Sequence, residues 1–242
     1  MILFPAIDIR NGRCVRLTQG DFNRETVFAG DPAEQALKWE RAGSSFLHVV
    51  DLDAARTGEA GNEAAVAAIL RAVSIPVQLG GGIRGMEDIG RKVGLGVSRV
   101  VMGTAALKDP KFLQTAVRVY GKRIVVGIDA KDGYVAVEGW GEVSSIRAVE
   151  FCKRMRDMGV RTVVFTDIAK DGMMEGPNFA ATKELVDLGG IDVIASGGIA
   201  SLSDLRELKT IDVHGAIVGR ALYEGTINLR EAIDICKHDR ER

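Results

Sequence analysis

Apolar residues in this chain come in short unbroken runs, separated by longer stretches with helical spacing. The runs are residues 2–8, 46–51, 76–79, 99–102, 124–129, 162–166, 192–195 and 215–218, and several read as solid blocks (HVVDL, RIVVGID, RTVVFTD, GAIVG). A run that does not alternate fits a strand covered on both faces, as in a parallel sheet. Between the runs lie helical windows. Asp31-Pro32 and Asp109-Pro110 each open one, with an Asp as N-cap and a Pro at the first helical position. Residues 64–73, 86–95, 149–158, 179–188, 202–208 and 229–236 carry apolar positions at the spacing of a helix face. Eight strands alternating with eight helices imply right-handed βαβ units. In a chain of 242 residues the order predicts an α/β fold, a (β/α)8 TIM barrel, over a doubly wound open sheet.

An internal repeat sharpens this. Residues 78–84 (QLGGGIR) recur as 194–200 (IASGGIA), and residues 101–105 (VMGTA) as 217–221 (IVGRA). Val49-Val50-Asp51 matches Phe165-Thr166-Asp167. All three share an offset of 116 residues (83 to 199, 103 to 219, 51 to 167). The strands ending in Asp8 and Asp129 are offset by 121, so one half holds a few extra residues early. Each half, about 1–120 and 121–242, is then a four-unit half-barrel. Half-barrels have bare sheet edges, so one closed domain over 1–242 is expected.

In such a barrel the site lies at the C-terminal ends of the strands, and the last two exits often bind phosphate. Here those exits are Gly197-Gly198 and Gly219-Arg220, and the repeat places matching exits at Gly81-Gly82 and Gly103-Thr104. Glycine lets the backbone approach an anion, and N–H groups at a helix start stabilise its charge. The competing reading is a tight turn packing helix onto strand. Four exits at one offset favour phosphate, and two related sites across one mouth imply a substrate with a phosphate at each end.

Asp8 and Asp129 each close an apolar run, and the repeat relates them, so they should face each other across the mouth. Two carboxyl groups in unequal environments can divide acid and base work. The ordinary alternative is a cap or a loop-fixing ion pair. Thr166 and Asp171, in TDIAKDG, are further candidates for positioning or proton transfer, while Lys170 reads as solvated. Trp140 offers an indole to stack on a planar heterocycle or to plug the rim. Arg16 and Arg84 read as solvated surface first and phosphate contacts second.

Composition closes off other functions. With 32 Lys+Arg against 33 Asp+Glu the chain has no basic excess for nucleic acid or an anionic membrane. No apolar stretch reaches the roughly 18 residues of a spanning helix, and the start lacks a signal-peptide pattern. Cys14, Cys152 and Cys236 are odd in number and far apart, which fits a reducing compartment. A cytoplasmic location is expected. Glycine stands out, at 29 of 242 residues (29/242, about 12%) against a usual level of about 7%. His48, His214 and His238 do not cluster, so no metal site is expected, and His48 reads as a satisfied core residue or a support for the site. No dinucleotide or Walker pattern occurs, so no cofactor is expected.

Taken together, PAID (5–8), HVVDLD (48–53), LGGGIR (79–84), GID (127–129), EGW (138–140), TDIAKDG (166–172), GPN (176–178), SGGI (196–199) and GRALY (219–223) are specific. Across essentially its whole length the chain resembles the phosphoribosylformimino-5-aminoimidazole carboxamide ribotide isomerase family of histidine biosynthesis. The resemblance implies a substrate with two phosphoribosyl groups, converted from aminoaldose to aminoketose without metal, cofactor or obligate protein partner. It places the proton acceptor on Asp8 and the donor on Asp129, with Thr166 and Asp171 at active-site positions and Asp171 a rival donor. Three alternatives stay open. They are the related cyclase of the same pathway, an isomerase that also takes phosphoribosylanthranilate, and a non-catalytic phosphosugar-binding protein. PAID and EGW favour the isomerase over the cyclase.

Overall fold

The computed structural model describes residues 1–58, 61–137 and 139–237. Glu138 and His238 lie outside the described residues. In chain order the elements are β1 (Ile2–Arg10), β2 (Arg13–Thr18), β3 (Asp21–Ala29), α1 (Pro32–Arg41), β4 (Leu47–Asp51), α2 (Leu52–Thr57), α3 (Glu63–Ala72), β5 (Val77–Gly80), α4 (Met86–Gly94), β6 (Arg99–Met102), α5 (Thr104–Lys108) and α6 (Pro110–Tyr120). They continue with β7 (Ile124–Lys131), β8 (Tyr134–Val137), β9 (Glu142–Arg147), α7 (Ala148–Asp157), β10 (Thr162–Asp167), α8 (Phe179–Val186), β11 (Asp192–Ser196), α9 (Leu202–Thr210), β12 (Gly215–Val218), α10 (Arg220–Glu224) and α11 (Leu229–Lys237).

The eight apolar runs become eight parallel strands in the order β1-β4-β5-β6-β7-β10-β11-β12, and pairing of β12 with β1 closes the ring. The (β/α)8 barrel read from the sequence is therefore present. None of the described helices is long and apolar enough to cross a membrane.

Each strand feeds two cores, because successive side chains point to opposite faces. Phe4, Ala6, Phe46, Val125, Val164, Ile194 and Ile217 fill the inside of the ring. The intervening residues, such as Ile7, Val49, Val126 and Phe165, pack outward under the helices. Phe4 and Phe46 meet at 4.9 Å, and the Arg99 guanidinium lies 5.1 Å over the Phe46 ring, at the strands' N-terminal end. The helix starts follow the predicted chemistry. Asp31 accepts from the N–H groups of Ala33 and Glu34, and Asp109 from that of Phe112. Each such cap stabilises by about 1 kcal/mol.

The repeat appears in the hydrogen bonds. Asn62 donates to Asp51 Oδ1 at 2.6 Å, and Asn178 donates to Asp167 Oδ2 at 2.6 Å, each 116 residues on (62 to 178, 51 to 167). Asp88 takes the N–H groups of Arg84 and Gly85, as Asp204 takes those of Ala200 and Ser201. Gly81 and Gly197 have φ of 100° and 88°. A Cβ at Gly197 would sit 3.0 Å from the Asp167 carbonyl, and one at Gly81 would overlap that of Asp51. Tight packing of one exit on its neighbour thus needs glycine there, whatever else the exit binds.

Four strands and three helices were not expected. The extra strands form two antiparallel hairpins, β2–β3 and β8–β9, that continue β1 and β7 beyond the barrel. β3 (DFNRETVFA) has no buried residue and leaves no apolar run, β2 (RCVRLT) mixes charged and apolar residues, and the apolar β8 (YVAV) lies outside the eight runs. The extra helices α2, α5 and α10 are single turns at strand exits.

Asn62 is 3% exposed and also donates to Asp53 at 2.8 Å, while its oxygen accepts from the N–H of Gly12 at 2.8 Å. Buried groups left without partners cost about 1–3 kcal/mol each. Asn62→Ala is therefore expected to lower the unfolding free energy by about 2 kcal/mol in urea denaturation. Asn178→Ala, whose partner Asp167 is only half-buried, should cost clearly less; equal losses would contradict this account.

Candidate active site

Phe4 and Ala6 point into the ring, so Asp8, two residues further along β1, does too. Val125 does the same for Asp129 on β7. The two strands stand four places apart in the eight-membered ring, so the carboxyl groups face each other across the C-terminal mouth. The same rule sends Asp51 and Asp167 outward, where they fix loops: Asp51 caps α2 through the N–H of Ala54 at 3.0 Å, and Asp167 accepts from that of Ala169. The sequence pattern held all four strand-end acids, and strand parity separates them.

Each inward acid has its own partner. Arg16 Nη1 lies 2.9 Å from Asp8 Oδ2, with only 10% and 15% of the two side chains exposed. Trp140 Nε1 donates to Asp129 Oδ2 at 2.7 Å, and Thr166, level with Asp129 in the neighbouring strand, donates as well. Burial pushes the Asp8 carboxyl up to about 6; Arg16 opposes this and Asp171 adds to it. Burial also raises Asp129, opposed by Trp140 and Thr166 and reinforced by Asp171. Asp171 is raised by burial too, against the pull of Arg16 and Arg220. The three carboxyl groups therefore share one electrostatic site.

Arg16 does not read as solvated surface in the structure. It sits on β2, which pairs with β1 so that Val15 lies opposite Asp8, and this places the Arg16 side chain over the mouth. The unseen hairpin is the reason for the difference. Arg16 is also packed on Gly219, where any Cβ would collide with the guanidinium. Arg84 is exposed, and its guanidinium packs on Gly58 on the far side of the mouth.

Arg16, Asp171, Ser196, Gly197, Gly198, Gly219 and Arg220 line one pocket together with Met174 and Ile217. Arg220 Nη1 donates to the Gly172 carbonyl at 2.8 Å and Nη2 to Thr18 Oγ1 at 3.0 Å, tying the loop after β10 to β2. Gly81, Gly82, Gly103 and Thr104 do not line this pocket; they occupy the equivalent exits of the first half. Gly103 and Gly219 share one backbone geometry (φ −100°, ψ −112° and φ −111°, ψ −97°) and precede α5 and α10 in the same way.

Trp140 has φ of 75°, in the left-handed region, and its ring covers Gly20 at the tip of the β2–β3 hairpin. The indole thus bridges the two hairpins while bonding to Asp129. His48 is buried beneath Arg16, with Nδ1 2.9 Å from Gln78 Nε2, and burial holds its pKa down at about 3, so it is a neutral core residue. Thr18 and Met174 were missed because no motif marks them, while Ser196 (in SGGI) and Gln78 (in QLGGGIR) stood inside the quoted motifs and were not singled out as site residues.

The model of the family described as histidine biosynthesis protein matches residues 2–228. A Trichlorobacter lovleyi protein named 1-(5-phosphoribosyl)-5-((5-phosphoribosylamino)methylideneamino)imidazole-4-carboxamide isomerase is 53% identical over 240 residues, covering 98% of each chain. Proteins with the same name from Thermoanaerobacter pseudethanolicus and Geotalea uraniireducens are 48% and 50% identical. They span 98% and 100% of this chain and 100% of their own length. The family match runs through all eight barrel strands and all four strand-end acids, and the relatives align end to end: the chain belongs to the histidine biosynthesis protein family.

Proposed function

We propose that the chain isomerises the bis-phosphorylated aminoaldose of histidine biosynthesis to its aminoketose, the reaction its relatives are named for. The observation that carries this reading is the placing of Asp8 and Asp129 on opposed strands, each partnered differently, between two sets of glycine exits. The barrel is read as one domain of two half-barrels, about 1–120 and 121–242.

In this reading the exits hold the two terminal phosphates. Gly197, Gly198, Gly219 and Arg220, with Arg16, take one, and Gly81, Gly82, Gly103 and Thr104, with Arg84, take the other. Backbone N–H groups do most of this work, so phosphates can approach a mouth that holds three acids. An acid protonates the ribose ring oxygen, and the ring opens to a protonated imine. That cation acidifies the C2 proton, so Asp8 can remove it as a carboxylate. The enolamine then tautomerises to the ketone. Grip on the non-reacting phosphates supplies positioning. Trp140 lies beside the acid, where its indole can stack on the imidazole.

Asp129 is assigned as the acid. One observation favours a second reading, with Asp171 in that role: Asp129 accepts from both Trp140 and Thr166, and donors to a carboxylate favour its ionised form.

Purified protein is expected to turn over the aminoaldose, and Asp8→Asn to lower kcat by at least about 10²-fold, the scale of one general base. Unimpaired turnover by Asp8→Asn removes the mechanism. Ammonia-dependent cyclisation would move the chain to the cyclase reading.

A pH profile adds a separate check. A base acts ionised, so kcat/KM should fall as pH drops through about 6, where Asp8 takes up its proton. The acid acts protonated, so a second limb should fall as pH rises through the raised pKa of the donor. Whichever of Asp129→Asn and Asp171→Asn abolishes that alkaline limb identifies the donor.

A further inference from the structure

Three residues on one face of β2 are gripped by one short segment. Cys14, Arg16 and Thr18 alternate to the same side of the strand. Thr18 accepts from Arg220, the Arg16 guanidinium lies on Gly219, and the Cys14 thiol meets the Tyr223 hydroxyl. The segment from Gly219 to Tyr223 therefore holds β2 on both sides of Arg16. Tyr223 is the outer end of this grip. Its ring stacks on Phe28 of β3 at 4.9 Å and 28°, and meets the edge of Trp39 of α1 at 5.1 Å. Its oxygen is buried, and among the described residues it has no aligned N–H or O–H partner. The ring packs on aromatic neighbours from two elements, β3 and α1, and is the part of Tyr223 that reaches the hairpin.

We propose that Tyr223 is a positioning residue whose ring clamps the β2–β3 hairpin onto α10 and so fixes Arg16 against both Asp8 and Gly219. This rests on the reading of Asp8 as the base. β2 leaves the barrel as half of a two-stranded hairpin, and such hairpins are marginal unless packed. Pairing with β1 and the Arg220–Thr18 bond place β2 over the mouth, and the Tyr223 ring adds the packing that holds the outer strand β3 to α10 while Arg16 keeps its 2.9 Å contact with Asp8. The clamp also links the two halves of the reaction, since the same segment forms the Gly219-Arg220 exit. The charged and titratable groups facing Asp8 are Arg16 and Cys14 of β2, Asp171 of the loop after β10 and Tyr223 of α10, and Arg16 in turn faces His48 of β4.

The test is a titration of the Asp8 carboxyl by carboxylate-selective NMR, alongside kcat/KM against pH. Tyr223→Leu should move the Asp8 titration upward from about 6, as Arg16 withdraws, and lower kcat/KM at pH 6 about tenfold. Tyr223→Phe keeps the stack and should stay within about twofold of the parent. In an Arg16→Gln background Tyr223→Leu should produce no further shift. An Asp8 titration that stays put or falls in Tyr223→Leu overturns the proposal, as does a Tyr223→Phe as impaired as Tyr223→Leu, or a full further shift in the Arg16→Gln background. If Tyr223→Leu does not fold, Phe28→Leu removes the half-buried side of the stack and should give the same upward move; no move there is equally fatal. The NMR reading does not need turnover. Full activity of Asp8→Asn would sink the base assignment, while the titration would still judge the clamp.

Discussion

A side chain on a barrel strand points either into the ring or out under the helices, and this constraint decides what each acid at the mouth can do. Four barrel strands carry an aspartate at or within two residues of their C-terminal end. Asp51 and Asp167 have the outward parity and meet asparagines and backbone N–H groups that fix the loops after them. Asp8 and Asp129 have the inward parity and meet the cavity. The chemistry follows from counting residues along a strand, since the amino acid is the same in all four places. The glycine exits obey a similar limit. Gly81 and Gly197 are required by backbone packing before any anion is considered, so their presence alone says less about phosphate than their arrangement around the inward acids does.

The mouth is electrostatically costly. Burial raises the pKa of Asp8, Asp129 and Asp171 alike, and Asp171 makes ionisation of the other two harder. Arg16 and Arg220 relieve part of this, and each is itself held by several loops. Arg220 reaches from α10 to Gly172 and Thr18, and Arg16 reaches from β2 to Asp8 and Gly219. The charges that make the acids usable are thus also the ties between hairpin, loop and barrel. In the proposed reaction this couples gripping a phosphate to setting the base.

The barrel was legible because its strands are buried on both faces, which leaves solid apolar runs, and because the halves repeat at one offset. The boundaries of β6 (Arg99–Met102) and β12 (Gly215–Val218) fall where the runs predicted them. The hairpins were not legible. β3 buries nothing and leaves no hydrophobic signature, while β8 (YVAV) is apolar but is a short hairpin strand outside the βα alternation that marks the barrel. Arg16 shares that fate: an arginine in a polar stretch reads as solvated until the pairing of β2 with β1 puts it over Asp8. Trp140 was visible as a candidate, but its bond to Asp129 depends on a left-handed backbone at residue 140 that no sequence pattern announces. Parity separates Asp51 and Asp167 from Asp8 and Asp129, but runs apolar on both faces do not show which parity faces the ring, so the separation needed the structure.

The broken symmetry of the repeat explains how two equivalent acids come to differ. From Asp8 to Asp51 is five residues longer than from Asp129 to Asp167 (8 to 51 against 129 to 167), and the excess falls in the first hairpin. There β2 and β3 are long enough to carry Arg16 back over the mouth, and a full positive charge meets Asp8. In the second half β8 and β9 are shorter, and the loop between them delivers a neutral indole N–H to Asp129. A cation favours the ionised carboxylate more strongly than a neutral donor does. The repeat places two acids in equivalent frames, and in the proposed reaction the unequal hairpins supply the difference that acid–base division needs. On this logic the hairpins, and not the barrel, are where a change of role between the two acids would begin.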